Sequence, residues 1–160
     1  MSDFFRCMSP NFITSIANVL RALAVLFLYQ NKVLLFAPLF FIGYYFDCLD
    51  GHHARRYNKS SRFGDYYDHF SDIFFNTLVV YWIYKNQKNW FPLITISIIC
   101  IIMNIHFGCQ QQFHQSETGE TIDITKVLCT NKHNIKYTRY FGAGTFATAM
   151  SLIPILIQYT

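Results

Sequence analysis

Four aspartates, Asp47, Asp50, Asp68 and Asp72, are spaced so that they could hold divalent metal. They lie in residues 46–72, a stretch holding five of the chain's nine carboxylates and four of its thirteen Lys and Arg residues. Asp47, Asp50, Gly51, Ala54 and Arg55 fall at i, i+3, i+4, i+7 and i+8, one face of a helix. Gly64, Asp68 and Asp72 fall at i, i+4 and i+8, one face of a second helix. Asn58, Ser60 and Ser61 between them suit a turn. Two helix ends joined this way would present their stripes to each other and gather all four carboxylates. Mutual repulsion and burial would force such a group to take up protons unless a cation relieved it. Oxygen-only donors suit Mg2+, Mn2+ or Ca2+ rather than zinc. Two ions about 3.5–4 Å apart would clamp a transferring phosphoryl group. Gly51, Ala54 and Gly64 share the stripes with the acids and keep the space above them open. Arg55 offers a two-pronged fork to a phosphate oxygen. The constellation reads as metals, a phosphate clamp and a nucleotide-sized gap.

A purely structural account competes with this one. Asp65 and Asp68 would suit the dipole at a helix start, and Arg55, Arg56, Lys59 and Arg62 would form a basic block at a membrane surface. His52, His53 and His69 are then polar surface residues. That account explains charge beside apolar sequence but not its registration on two faces.

The elements that must carry these residues are apolar. Of 160 residues, 52% are hydrophobic, 19% aromatic and only 14% charged. The charged share falls well below the roughly 25% of soluble domains, so lipid is expected to face much of the surface. Five apolar segments stand out: 12–29, 33–46, 73–84, 90–107 and 140–159. A span takes about 20 residues, so the second and third fall short unless the charged stretch adds helical turns. The expected fold is an all-α integral membrane protein. It is a bundle of about five transmembrane helices in one domain, residues 1–160, with a dimetal site at the cytoplasmic ends of the second and third. A soluble helical bundle is the weaker alternative, because so many apolar runs are hard to cover.

The net charge of +4 does not imply nucleic acid, because the basic residues sit in short blocks between apolar runs. With a cytoplasmic N-terminus, nine basic residues lie inside and three outside, which follows the positive-inside rule and places the acids on the cytoplasmic face. Pro10 suits a helix start and Asn11 its cap. The five cysteines include no CxxC pair and are expected as reduced, unpaired thiols. Residues 108–133 read as one long polar loop. Arg21, inside the first apolar run, either snorkels or pairs with a buried acid, or else lines a lipid-phosphate pocket. Gly142, Gly144, Ala147 and Ala149 suit close helix packing, within the monomer or in a homodimer.

The pattern D-x2-D-G-x2-A-R-x8-G-x3-D-x3-D, met in full from Asp47 to Asp72, resembles the signature of the CDP-alcohol phosphatidyltransferases. "SPNFIT" (residues 9–14) looks like that family's opening helix. The resemblance implies a membrane enzyme of phospholipid synthesis that moves a substituted phosphate from a CDP-linked donor to an alcohol and releases CMP. By the same resemblance Asp47, Asp50, Asp68 and Asp72 would ligate two Mg2+ or Mn2+ ions. Asp72 would be general base, and Gly51, Ala54, Arg55, Ser61 and Gly64 would surround the CDP moiety. The "RFG" before Asp68 looks like phosphatidylinositol synthases, which use CDP-diacylglycerol and myo-inositol. Those enzymes commonly carry Arg after the last Asp, where this chain has Ile73. "ARRYNKSSRFG" also resembles choline and ethanolamine phosphotransferases, which use a CDP-amino-alcohol with diacylglycerol as acceptor. A catalytically degenerate membrane partner is the non-enzymatic alternative, disfavoured by the intact acid set. A cation transporter would spread its ionisable groups through the bilayer depth. An endoplasmic-reticulum-type membrane is the expected location in a eukaryotic cell.

Overall fold

The computed structural model describes residues 9–59, 61–114, 134–138 and 140–159. Helices account for nearly all of them: α1 (Pro10–Tyr29), α2 (Val33–Arg56), α3 (Arg62–Asn86), α4 (Phe91–His114), the short α5 (Asn134–Thr138) and α6 (Ala143–Tyr159). There is no strand among the described residues. The chain divides into two compact units, Met1–Trp82 and Ile83–Thr160.

In the first unit the helix ends follow from local chemistry. Ser9, not Asn11, caps α1; its hydroxyl accepts from the Phe12 N–H at 3.3 Å, with Pro10 at the first helical position. At the other end Asn31 takes a left-handed φ of 61°. Its N–H donates to the Leu28 carbonyl, and that of Lys32 to Phe27, both at 2.9 Å. The end of α2 repeats the device. Asn58 has φ 52°, its N–H reaches the Arg55 carbonyl, and the Lys59 N–H reaches that of Ala54 at 2.9 Å. Both are Schellman terminations, with asparagine where glycine is commonest. Ser61 then starts α3, its Oγ accepting from the Gly64 N–H at 3.0 Å.

The helix α2 does not stop at Phe46 but runs on through the acidic stretch to Arg56, and α3 begins eleven residues before its apolar segment. The second and third apolar segments are thereby extended to 24 and 25 residues. Along α1, Ile13, Ala17, Ala24 and Leu28 are buried, as are Phe36 and Phe40 of α2. The opposite faces carry Leu26, Leu34, Phe41 and Ile42 at 44–60% exposure, a pattern suited to hydrocarbon rather than water. The backbones of α1 and α2 cross closely at Gly43, where a Cβ would lie 3.3 Å from the Ala17 carbonyl oxygen. Contact between α1 and α3 is also direct, with Tyr29 Oη donating to the Leu78 carbonyl at 3.2 Å.

In the second unit, α4 continues to His114. The polar loop expected from Gly108 therefore starts later, and its remaining part lies outside the described residues. Cys109 is buried and disulfide-bonded, which corrects the expectation of unpaired thiols throughout; Cys48 and Cys100 are free. The buried His106 ring pairs through Nδ1 with Thr138 Oγ1 at 3.0 Å. Ala147 on α6 is 4% exposed, as expected for a small packing residue, whereas Gly144 faces outward.

Four stretches are long and apolar enough to cross a membrane: Pro10–Tyr29, Val33–Arg56, Phe91–Gln110 and Ile135–Tyr159. The helix α3 is long enough but does not join them, since polar residues run along its length from Asp65, Asp68 and Asp72 to Asn76, Lys85 and Asn86.

Candidate metal centre

The two helix ends do face each other. One carboxylate oxygen from each of Asp47 and Asp50 on α2 and Asp68 on α3 lies within 4.8 Å of the others. The register of α2 puts its two acids three residues apart on one side, and the α2–α3 turn brings Asp68 to them. Asp50 is buried, and Asp47 and Asp68 are half-buried. Burial, followed by the charges of Asp72 and Asp50, pushes the Asp68 carboxyl up from 3.8 to about 7. The buried Oδ1 of Asp68 has no hydrogen-bond partner among the described residues. Three converging carboxylates, one with an unsatisfied oxygen, suit a hard divalent cation.

Asp72 lies one turn beyond Asp68 and outside this tight group. Its Oδ1 accepts from Arg21 Nη1 at 2.6 Å, and Arg21 Nη2 sits 2.6 Å from Asp47 Oδ1. Of the two readings of Arg21, the structure shows pairing with buried acid, and with two acids rather than one. The Arg21 side chain is 4% exposed and that of Asp47 12%, whereas Asp72 is 41% exposed. Asp72 is thus the most open of these three groups.

The other expected site residues are distributed more loosely. Gly51 is half-buried, and a Cβ there would sit 3.4 Å from Arg55 Nη1, because the exposed guanidinium of Arg55 folds back over it. Ala54 is half-buried on the same face. At Gly64 a Cβ would come within 2.9 Å of Asn11 Oδ1 and 3.0 Å of Ser61 Oγ. This glycine therefore admits Asn11 of α1 and the Ser61 cap, and the space expected to stay open above it is filled by those side chains. The exposed Ser61 is engaged as the α3 cap.

Three residues of α1 complete the surroundings, and only Arg21 was singled out from sequence. Thr14 Oγ1 donates to Asp50 Oδ2. Asn18 Nδ2 donates to Ser71 Oγ at 2.9 Å, and Ser71 in turn donates to the Tyr67 carbonyl at 2.6 Å. Thr14, Asn18 and Arg21 fall at i, i+4 and i+7. This polar stripe on an otherwise apolar helix was the available signal.

Four stretches apolar enough to cross a membrane and an aspartate cluster at facing helix ends suit a membrane protein that holds a divalent cation. The family model for CDP-alcohol phosphatidyltransferase matches residues 7–159, and the chain belongs to that family. It is accordingly a membrane-bound phosphotransferase that works on CDP-alcohols in lipid synthesis, in a family dependent on divalent metal. No curated protein and no solved structure matches the chain.

Proposed function

We propose that the protein transfers the phosphatidyl group of CDP-diacylglycerol to a small alcohol, myo-inositol by the "RFG" resemblance, and releases CMP. The observation that carries this reading is the convergence of Asp47, Asp50 and Asp68 across two helices. These three, with Asp72, would hold two Mg2+ or Mn2+ ions, which supply charge neutralisation at the diphosphate when bound. Gly51 and Ala54 leave room for the nucleotide beside Gly64, whose own surface Asn11 covers, while Arg55 and Ser61 meet its phosphates. The half-open Asp72 takes the proton of the acceptor hydroxyl. The freed oxygen bonds to the diacylglycerol-bearing phosphorus as that phosphorus parts from the bridging oxygen, whose electron pair leaves with CMP. The active face is cytoplasmic by the distribution of basic residues, and residues 1–160 act as one catalytic domain.

Purified protein in detergent, supplied with Mg2+ or Mn2+, tests the reading. CDP-diacylglycerol is offered with inositol in one arm. CDP-choline or CDP-ethanolamine is offered with diacylglycerol in the other. Inositol-dependent CMP release is expected. Release only in the second arm would reassign donor and acceptor, and release in neither would remove the catalytic reading.

A further inference from the structure

Arg21 is a full charge inside a hydrophobic helix, and a fully desolvated cation is among the costliest groups to place there. Its surroundings look built for it. Its two terminal nitrogens reach different helices, Asp47 on α2 and Asp72 on α3, each at 2.6 Å. Its stem passes Gly43 so closely that a Cβ there would lie 2.8 Å from Arg21 Cγ. The planar fork of guanidinium fixes the relative position of two acceptors, which an ammonium point charge does less well. Neither acid so held is idle: Asp47 belongs to the three-carboxylate cluster, and Asp72 is the open acid beside it.

We infer that Arg21 is a positioning residue, a built-in clasp that holds Asp47 and Asp72 in fixed relation across α2 and α3, with Gly43 as the passage that admits it. The inference rests on the proposed function only for the roles of those two acids; the clasp itself stands on geometry. A snorkelling arginine would direct its head to the membrane surface, whereas this head is buried against two carboxylates.

Two measurements test it. The first is a thermal cycle in detergent with chelator, which needs no substrate. Arg21→Met should lower the melting temperature by about 10 °C, as expected when a buried charge partner is removed. Adding Asp47→Asn and Asp72→Asn to the same chain should restore at least half of that loss. Losses that simply add would overturn the clasp. The second is kinetic, with the donor and alcohol that the wild type accepts. Arg21→Met should lower kcat about 100-fold, the cost of an ångström-scale misplacement, with donor KM changed less than about threefold. Arg21→Lys should recover about tenfold of that loss. Gly43→Ala, which leaves every charge in place, should lower kcat about tenfold. Unchanged kcat in Arg21→Met, or in both Gly43→Ala and Arg21→Lys, would overturn the positioning role. A wild type that releases no CMP with any donor fails the functional reading, and the thermal cycle then decides the clasp alone.

Discussion

The two compact units solve opposite problems. In Met1–Trp82 the described residues include buried or half-buried Arg21, Asp47, Asp50, Asp68 and Asp72, tied across three helices by ion pairs and hydrogen bonds. In Ile83–Thr160 the described residues include no carboxylate, and the buried polar groups are His106 and Ser151. Ser151 there donates to its own helix, at the Ala147 carbonyl, while His106 meets Thr138. The first unit spends its interior on charge that stability alone does not require. Replacing buried ion pairs by apolar residues is often neutral or stabilising. The difference places the converging aspartates in the first unit, while Glu117, Glu120 and Asp123 of the second lie outside the described residues.

Breaking that contrast should be most visible at Asp72. Asp72→Asn is expected to reduce CMP release by about 10²–10⁴-fold, the span of general-base catalysis, with donor binding retained. Equal loss of donor binding, measured by equilibrium titration, would make the residue a metal or structural group instead. Next in size, Gly51→Leu should crowd the space that Arg55 already closes to 3.4 Å. It should raise the KM for the CDP donor by about tenfold or more, by loss of complementarity worth about 1.4 kcal/mol; an unchanged KM would remove Gly51 from the nucleotide site.

A smaller effect concerns stability and pH. The folded pKa of Asp68, about 7, lies above its ordinary 3.8. Its contribution is therefore fully present below pH 3.8 and lost as pH rises through 7. Chelated protein should melt at progressively lower temperature over that window. Mn2+ should raise the melting point more at pH 8 than at pH 5.5, where protons already quiet the cluster; an equal gain at both would sever the cation from these acids. Smallest of all, Thr138→Val in the second unit removes the partner of His106 Nδ1. It should cost about 1 kcal/mol, the worth of one hydrogen bond, read as about 2–4 °C in melting. Donor KM and metal response should stay as in the wild type. A catalytic loss there would blur the division between the units.

Much of this was legible in the sequence, for physical reasons. Helical periodicity alone puts Asp47 and Asp50 on one face and Asp68 and Asp72 on another; three of the four expected acids converge, and Asp72 is drawn off to Arg21. Hydropathy found the long helices, although α2 and α3 extend into polar sequence where an apolar count has no signal. Less legible was the α1 contribution. Thr14 and Asn18 look like ordinary small polar residues until α2 and α3 are placed beside them, and pairing across helices is a tertiary fact. The α1 cap lies two residues before the one that residue preference points to. Asn11 is a good capping residue, but Pro10 at the first helical position makes the preceding Ser9 the cap. The disulfide at Cys109 was missed because cysteine spacing without a known fold does not determine pairing.

The outward leucines and phenylalanines of α1 and α2, at 43–60% exposure, change where the strength of this fold comes from. Surrounded by acyl chains, they gain nothing from hiding against one another, so the ordinary oil-and-water drive ends once the helices are inserted. Cohesion among the first three helices then falls to tight steric fit and to polar contacts, such as Tyr29 with Leu78, which a weakly screening medium strengthens. Urea in the aqueous phase is a poor tool for loosening such an assembly. A change of detergent, which lets water reach the polar seam, is the sharper one.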